Sequence, residues 1–282
     1  MGSLKVFVLA GAAIVSMSAA RAADLPPLMA PQPLPVAEEF ASGWYLRGDM
    51  GVGSQSFRSF DHHQTNTAFV WPASWAIDSK GIGDAVFFGA GVGYKYSNWL
   101  RFDFTGEWRA SARIKAVGGY TEFCAGGGRC FDVYDGNHSA AVFLANAYVD
   151  LGQWYRVTPF IGFGVGTVRH SITDFWDIGL NSDGTTGRGF SPNHSHWNFA
   201  WAAHAGFAFD VSKNLKIELA YRYLNMGDVK TGIVGCTGCG VVGGPLAYYS
   251  LKTLDSHDFK VGFRWQLDSY VPSYQPPLMR KG

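Results

Sequence analysis

The sequence predicts an all-β protein, namely an eight-stranded antiparallel up-and-down transmembrane β-barrel with four long extracellular loops. Three observations predict this fold. Apolar and polar residues alternate with a period of two in eight segments of about ten residues or more, the length that crosses a bilayer as a tilted strand. Very short turns alternate with long connections along the chain. The 36 glycines and the 16% aromatic content are typical of strands with tight turns rather than of helices, because Gly costs about 1 kcal/mol in a helix interior.

The composition also excludes several classes of protein. The 282 residues include 23 Lys+Arg and 22 Asp+Glu, which gives a formal net charge of +1. This balance excludes a polybasic nucleic-acid-binding surface and an acidic disordered chain. Only 16% of the residues are charged, whereas about 25% is typical of soluble domains.

The first 22 residues predict a secretory signal peptide. Lys5 precedes an apolar run from Val6 to Val15, and Ala20-Arg21-Ala22 matches an A-x-A cleavage site. A membrane anchor is the alternative, but the apolar run is too short to span a bilayer. Residues 23–42 follow as a Pro-rich leader, which we expect to be extended. The mature protein would therefore function outside the cytoplasm, where disulfides are permitted.

The barrel is predicted over residues 43–266, followed by a C-terminal tail at 267–282. The eight predicted strands cover residues 43–55, 84–96, 99–110, 140–151, 155–169, 197–211, 215–225 and 253–266. The third strand shows the pattern best, because Phe102, Phe104 and Trp108 share one face and charged residues occupy the other. The short turns lie at 97–98, 152–154 and 212–214, and the long connections cover 56–83, 111–139, 170–196 and 226–252.

Charged residues on the inward faces predict how the lumen is filled. Eight strands leave an interior that side chains just fill, and unpaired charges there are costly. We therefore predict a network of ion pairs that closes the lumen, formed by Arg47, Asp49, Arg101, Asp103, Glu107, Asp150, Arg156, Asp210, Lys216, Glu218, Arg222, Asp258, Lys260 and Arg264. The alternative interpretation is an ion or proton path, which would make the protein a narrow pore.

Several segments resemble a known family. Residues 91–109, GVGYKYSNWLRFDFTGEWR, look like a strand hairpin of alphaproteobacterial outer-membrane β-barrels, and residues 159–166 and 219–223 look like two further strands. The group is that of the RopB-type major surface proteins of rhizobia and brucellae, with an OmpA-like membrane-domain architecture. The resemblance implies an outer-membrane location with extracellular loops and periplasmic termini, and work in envelope integrity, host contact or haem binding. The C-terminal tail and the cysteine-bearing loops depart from the family.

Four cysteines lie in the predicted loops, at Cys124, Cys130, Cys236 and Cys239. Local pairing of Cys124 with Cys130 and of Cys236 with Cys239 is favoured, since loop-local disulfides suit an oxidising surface. Pairing across the two loops and a metal site of four thiolates are the alternatives. The C-x2-C and C-x5-C spacings depart from those of common zinc sites.

Histidines are concentrated on the loop side of the predicted barrel. His62, His63, His138, His170, His194 and His196 form the candidate set for a haem or metal site, because neutral imidazole is a common metal ligand. The alternative is that they are polar residues at the strand ends. We favour this second interpretation, because nothing in the sequence brings the rings together.

We predict no enzymatic activity and no cofactor. Asp255-Ser256-His257 offers Ser and His, but adjacent strand residues point to opposite faces. The predicted function is structural and surface-interaction work in the cell envelope, with a haem- or metal-binding module and a narrow pore as alternatives. Expected partners are outer-membrane lipid and lipopolysaccharide, the barrel-insertion machinery and ligands on host or other cell surfaces, but not nucleic acid.

Overall fold

A computed structural model describes residues 43–65, 71–122, 124, 126–237 and 245–267. The predicted signal peptide (1–22), the Pro-rich leader (23–42), Cys239 and residues 268–282 of the predicted tail lie outside the described residues. The strands are β1 (Trp44–Gln64), β2 (Ala76–Ile82), β3 (Ala85–Lys95), β4 (Leu100–Tyr120), β5 (Cys130–Asp150), β6 (Val157–Leu180), β7 (Thr186–Phe190), β8 (His194–Asp210), β9 (Leu215–Asn225), β10 (Val229–Lys230), β11 (Val234–Thr237) and β12 (Pro245–Gln266). Within these residues, no helix is long and apolar enough to cross a membrane.

Eight of the described strands form a closed antiparallel ring. The order around the ring is β1, β3, β4, β5, β6, β8, β9 and β12, and β12 pairs again with β1. The closing pair runs from Tyr45 opposite Gln266 to Gln64 opposite Ala247. Closure removes the free sheet edges that would otherwise expose unpaired backbone groups. The predicted eight-stranded antiparallel barrel is confirmed.

The part of the ring nearest the short turns exposes apolar side chains on its outside. This apolar band comprises Trp44, Leu46, Met50, Val52, Val86, Phe88, Val92, Phe102, Phe104, Trp108, Phe143, Ile161, Phe163, Val165, Trp197, Phe199, Phe207, Leu219, Phe259, Val261, Phe263 and Trp265. Trp99, Trp154 and Tyr155 are exposed beside the short turns, where aromatic residues meet a membrane interface. A continuous exposed belt of this kind is what a lipid-facing barrel wall requires.

The prediction of four long loops is wrong in its boundaries, because much of each predicted loop is strand. The connection expected over 111–139, for example, contains the end of β4 and the start of β5. We call the sheet beyond the apolar band the distal tier; it consists of β2, β7, β10 and β11 with residues 54–64, 110–120, 130–140, 168–180, 194–196 and 245–257 of the ring strands. Register shifts in the β4–β5 and β5–β6 ladders interrupt the period-two pattern on which the prediction relied.

The interior changes character along the barrel axis. Charged side chains fill the lumen inside the apolar band, whereas an apolar cluster fills the interior at the start of the distal tier. Its buried members include Ile114, Leu144, Val168, Ile172, Phe175, Leu224, Met226, Leu251 and Leu254. Inside the band, glycines allow large rings to lie against the wall, since a Cβ on Gly162 would collide with the Tyr148 ring.

Candidate functional site: the barrel interior

Arg47 is the centre of one ion-pair cluster in the lumen. Its Nη1 donates to Asp103 Oδ2 at 2.5 Å, and its Nε and Nη2 each donate to Asp49 at 2.9 Å. Its Nη2 also lies 3.4 Å from Glu218 Oε2. The side chains of Arg47 and Asp103 are almost completely buried. Bidentate pairing supplies the attraction that offsets the cost of burying these charges.

Glu218 connects this cluster to two further cations. Arg101 Nη2 and Arg264 Nε lie 3.4 and 3.5 Å from Glu218 Oε1. Arg101 also donates from Nε to Asp150 at 3.1 Å, and its guanidinium lies 4.0 Å from the Tyr148 ring centroid. Lys260 Nζ approaches Asp49 at 3.5 Å. The long distances indicate weaker pairing here than around Arg47.

Asp258 is the centre of a second cluster, nearer the distal tier. Arg109 donates to both of its carboxylate oxygens, at 2.8 and 3.0 Å, and Arg222 Nε donates at 2.8 Å. Ser256 Oγ donates at 2.6 Å. Glu107 accepts from the same two arginines, so that two carboxylates and two guanidiniums alternate around the cluster. Asp258 itself is fully buried.

The predicted lumen residues do not all meet in the interior. Asp210 and Lys216 pair at 2.5 Å, but both are partly exposed beside a short turn. Arg156 is exposed, and the prediction that it belongs to the lumen is wrong, because it lies in the short turn before β6. Arg109 was missed, although it continues the inward alternation of Arg101, Asp103 and Glu107 along β4.

His204 lies in the lumen without a hydrogen bond. It is 5% exposed, and neither ring nitrogen has a hydrogen-bond partner among the described residues. Its ring centroid lies 5.3 Å from that of Tyr148. Arg222 is its cross-strand neighbour on β9 and points instead to Asp258. The ring is therefore a buried polar group that the ion pairs do not use.

The candidate histidines lie on strands, which corrects their assignment to loops. His62 and His63 end β1, His138 lies on β5, His170 on β6, and His194 and His196 on β8. His62 stacks on Trp71 with ring centroids 4.2 Å apart, and His63 Nε2 lies 2.8 Å from Ser250 Oγ. In the described part of the chain, no three His, Cys, Asp or Glu side chains are arranged to hold a metal ion.

The other four histidines form a row across the inner face of β5, β6 and β8. His138 Nε2 lies 2.9 Å from His170 Nδ1, and His170 Nε2 lies 2.9 Å from the Met226 carbonyl oxygen. The His170 and His196 rings are 5.3 Å apart, and His194 stacks on His196 at 5.7 Å. His138 and His170 are buried. In the buried pair, His138 Nε2 and both His170 nitrogens are thus already hydrogen-bonded and are not available to bind a metal.

One of the favoured disulfides is present. Cys124 and Cys130 are bonded, with Cα atoms 5.7 Å apart. This confirms local pairing for the first cysteine pair. Cys236 lies on β11 opposite Gly189 of β7, and the predicted partner Cys239 lies outside the described residues. The Cys236–Cys239 pairing stays a prediction.

The far end of the distal tier contains two half-buried carboxyl groups that lack a cationic partner among the described residues. Asp132 lies on β5 and Asp177 on β6, and neither forms an ion pair with a described residue. Burial and the nearby Asp177 carboxylate raise the pKa of Asp132 to about 7. Burial raises the pKa of Asp177 to about 6. Tyr134 donates to Asp132 at 3.3 Å. At neutral pH these two carboxyl groups are therefore partly protonated.

The triplet that offered Ser and His does not form a catalytic pair. Ser256 points inward to Arg109 and Asp258, whereas His257 is exposed and its Nδ1 lies 2.6 Å from the Tyr221 hydroxyl. The two side chains lie on opposite faces of β12, as the strand geometry requires.

Relatives of this chain occur in Brucella and Rickettsia. An uncharacterized protein of Brucella suis is 33% identical over 227 residues, covering 76% of this chain and 78% of the relative. A protein of Rickettsia prowazekii named "Putative adhesin RP828" is 27% identical, covering 81% of this chain and 90% of the relative. Among solved structures, Neisserial surface protein A is 16% identical with a TM-score of 0.41, covering 81% of this chain and all of that chain.

A sequence model described as "Outer membrane protein beta-barrel domain" matches residues 7–266. That match extends over the closed ring, the apolar band and the distal tier. Together with the Brucella relative it confirms the resemblance that the strand sequences predicted. The chain belongs to the outer-membrane β-barrel family.

Proposed function

We propose that this protein is a surface-interaction protein of the outer membrane. It is anchored by a barrel whose lumen is closed by ion pairs. The distal tier then lies on the extracellular side, and the short turns and both termini face the periplasm. Lipid and lipopolysaccharide contact the apolar band, and the barrel-insertion machinery delivers the chain. The anchored barrel also contributes to envelope integrity. We propose no catalytic role.

The observation that carries this proposal is an exposed apolar face on the outside of the distal tier. It is formed by the exposed Phe131, Leu180 and Phe190 together with the half-buried Val117, Val133, Trp176 and Ile178. Phe131 lies opposite Leu180, and Phe190 opposite Trp176. The exposed fractions of Phe131, Leu180 and Phe190 are 38%, 41% and 56%. An exposed apolar face of this kind is typical of protein interaction sites.

This face is separate from the lipid-facing band. A polar row of Arg113, Asn137 and Thr173 crosses β4, β5 and β6 between the two surfaces. Phe131 lies about 40 Å along β5 from Phe143 of the apolar band at the usual rise per residue. Lipid contact therefore does not account for the apolar residues of the distal tier.

Charges indicate what kind of partner fits this face. Arg188 lies opposite Ile178 on the same face and forms no ion pair with a described residue. Arg129 lies over the Phe131 ring at 5.2 Å and already pairs with Asp78, so Arg188 is the cation that a partner would meet. A second copy would bring Arg188 near its own counterpart, whereas a partner with an apolar centre and acidic margins would complement both features. The adhesin name of the Rickettsia relative supports a protein partner on another cell.

The apolar cluster above the lumen supports a closed barrel over a pore. Ile114, Leu144, Val168 and Leu224 are buried where an ion path would have to continue. Ions cross such an apolar constriction poorly, since nothing there replaces their hydration. The histidine row likewise argues against a haem module, because His170 is fully buried and hydrogen-bonded.

Surface display on a non-adherent Gram-negative strain tests the proposal. We expect adherence to cultured epithelial monolayers to rise at least fivefold over the strain with empty vector. The triple variant Phe131→Ser, Leu180→Ser, Phe190→Ser should lose that gain. A matched control, Ser54→Ala with Ser56→Ala on β1 of the same tier, should retain it. If the wild-type protein, at matched surface amounts, gave no more adherence than the empty vector, the interaction role would be contradicted. If the triple variant remained adherent, the assignment of the apolar face as the interaction site would be contradicted.

A further inference from the structure

The histidine row meets the chain where the β8–β9 ladder ends. That ladder stops at Trp201 opposite Asn225, and residues 226–228, the β9–β10 connection, follow. His170 Nε2 contacts the Met226 carbonyl, and His196 Nε2 lies 3.1 Å from the Asp228 carbonyl. At the junction between the lipid-facing barrel and the distal tier, imidazole nitrogens thus contact these two carbonyl oxygens, where backbone N–H groups would donate in a continued ladder.

The hydrogen bonds determine the protonation of the buried pair. A carbonyl oxygen only accepts, so His170 Nε2 carries the hydrogen that reaches Met226. If His170 is neutral, its Nδ1 is bare and accepts from His138 Nε2–H at 2.9 Å. With His138 in its Nε2–H form, a proton added to His170 would place two N–H groups face to face. The contact therefore requires a neutral His170 whenever His138 is the donor.

The surroundings penalise a positive charge at this place. Ile172 and Val168 beside the pair are fully buried. Arg109 and His196 face His138, and His196 faces His170; His194, Lys230 and Asp228 face His196. The only carboxylate among these facing groups is Asp228, which already pairs with Lys252 at 2.8 Å. A charged ring would have to move toward water to be solvated.

The β9–β10 connection has further contacts that loss of the histidine contact would disturb. Met226 N donates to the Leu254 carbonyl at 2.8 Å, and Leu254 N donates to the Gly227 carbonyl at 2.7 Å. Met226 and Val229 are fully buried in the interior of the tier. Movement of the His170 ring would leave the buried Met226 carbonyl without that donor, which favours opening of the connection.

We propose that His138 and His170 form a pH-sensitive latch that holds the β9–β10 connection and opens when the pair takes up a proton in mildly acidic medium. In the opened state a solvated imidazole takes up its proton near pH 6.5, whereas burial opposes a proton on the closed pair, so opening increases as the pH falls below that value. The latch controls the order of β10 and of the neighbouring segment of β12. It operates independently of adhesion, and no metal or haem takes part.

Hydrogen exchange of the protein in lipid nanodiscs tests the latch. After correction for the intrinsic pH dependence of exchange, we expect the amides of Met226, Thr231 and Leu254 to open at least tenfold more at pH 5.0 than at pH 7.5. His170→Gln keeps an amide donor for Met226 but does not titrate, so its opening should not change with pH. His257→Gln, which removes an exposed histidine, is the matched control and should respond like the wild type.

Two results would overturn the latch. One is wild-type protection that is equal at the two pH values, and the other is a pH response that persists in His170→Gln. Nitrogen NMR of wild-type protein supplies a test that needs no variant. We expect His170 to be the Nε2–H tautomer at pH 7.5. A protonated His170 at pH 7.5 would contradict the proposal.

Discussion

Removal of the Asp258 carboxylate probes the ion pairs of the lumen most sharply. Asp258 is fully buried and accepts from Arg109 at 2.8 and 3.0 Å and from Arg222 at 2.8 Å. In Asp258→Asn, the two guanidiniums keep one carboxylate between them, that of Glu107. Loss of one partner from a buried ion pair costs about 3–5 kcal/mol. We expect a loss of this size in the free energy of unfolding.

Urea titration of the protein refolded in lipid vesicles measures this loss. Asp255→Asn on the same strand is the control, because Asp255 accepts from the neutral Tyr223 hydroxyl and Asn225 amide. That variant should lose about 1 kcal/mol. The double variant Asp258→Asn, Arg109→Met should be less destabilised than the sum of its single variants, with a coupling of about 2 kcal/mol or more. Equal losses in Asp258→Asn and Asp255→Asn would refute the reasoning.

Three further predictions concern other parts of the interior and the wall. Phe102→Arg in the apolar band should cost about 2–4 kcal/mol of unfolding free energy in vesicles, whereas Phe131→Arg in the distal tier should cost under about 1 kcal/mol; equal costs would mean that the band is misplaced. His204→Phe should be neutral or stabilising by about 1–2 kcal/mol in the same urea assay, because the ring nitrogens have no partner among the described residues; a clear loss would point to a bound group. Asp132 has a folded pKa near 7, above its unfolded value of about 3.9. Stability should therefore fall as pH rises from about 4 to 7, by up to about 1.4 kcal/mol per pH unit, and this slope should flatten in Asp132→Asn; an unchanged slope would be the contrary result.

The strands of the apolar band were predictable because their pattern is local. Phe102, Phe104 and Trp108 alternate with charged residues, and short turns bound each hairpin. The distal tier was not predictable in the same way. Thr253 and Asp174 adopt positive φ, and the register shifts near Ala112 and Asn137 reverse which face points inward. In the sequence, these interruptions of the alternation look like loops.

In the lumen, too, the direction of a side chain could be predicted from its own strand, whereas its partners could not. The inward direction of Arg47, Asp103 and Asp258 follows from alternation along each strand. Their partners depend on the stagger of the strands around the ring, which no single segment encodes. Arg47 on β1 thus meets Glu218 on β9, eight strands further along the chain. The histidine row follows the same rule, since ladder register alone brings His138 to His170.

Planar-bilayer recording of the refolded protein tests the closed lumen most directly. Insertion would be verified beforehand by a heat-modifiable gel band and by a protease-protected core. We expect silent bilayers in symmetric salt, because the apolar cluster around Leu144 and Val168 closes the interior above the ion pairs. Steady single-channel conductance from verified protein, altered by Asp258→Asn, would contradict the closed barrel and establish a pore.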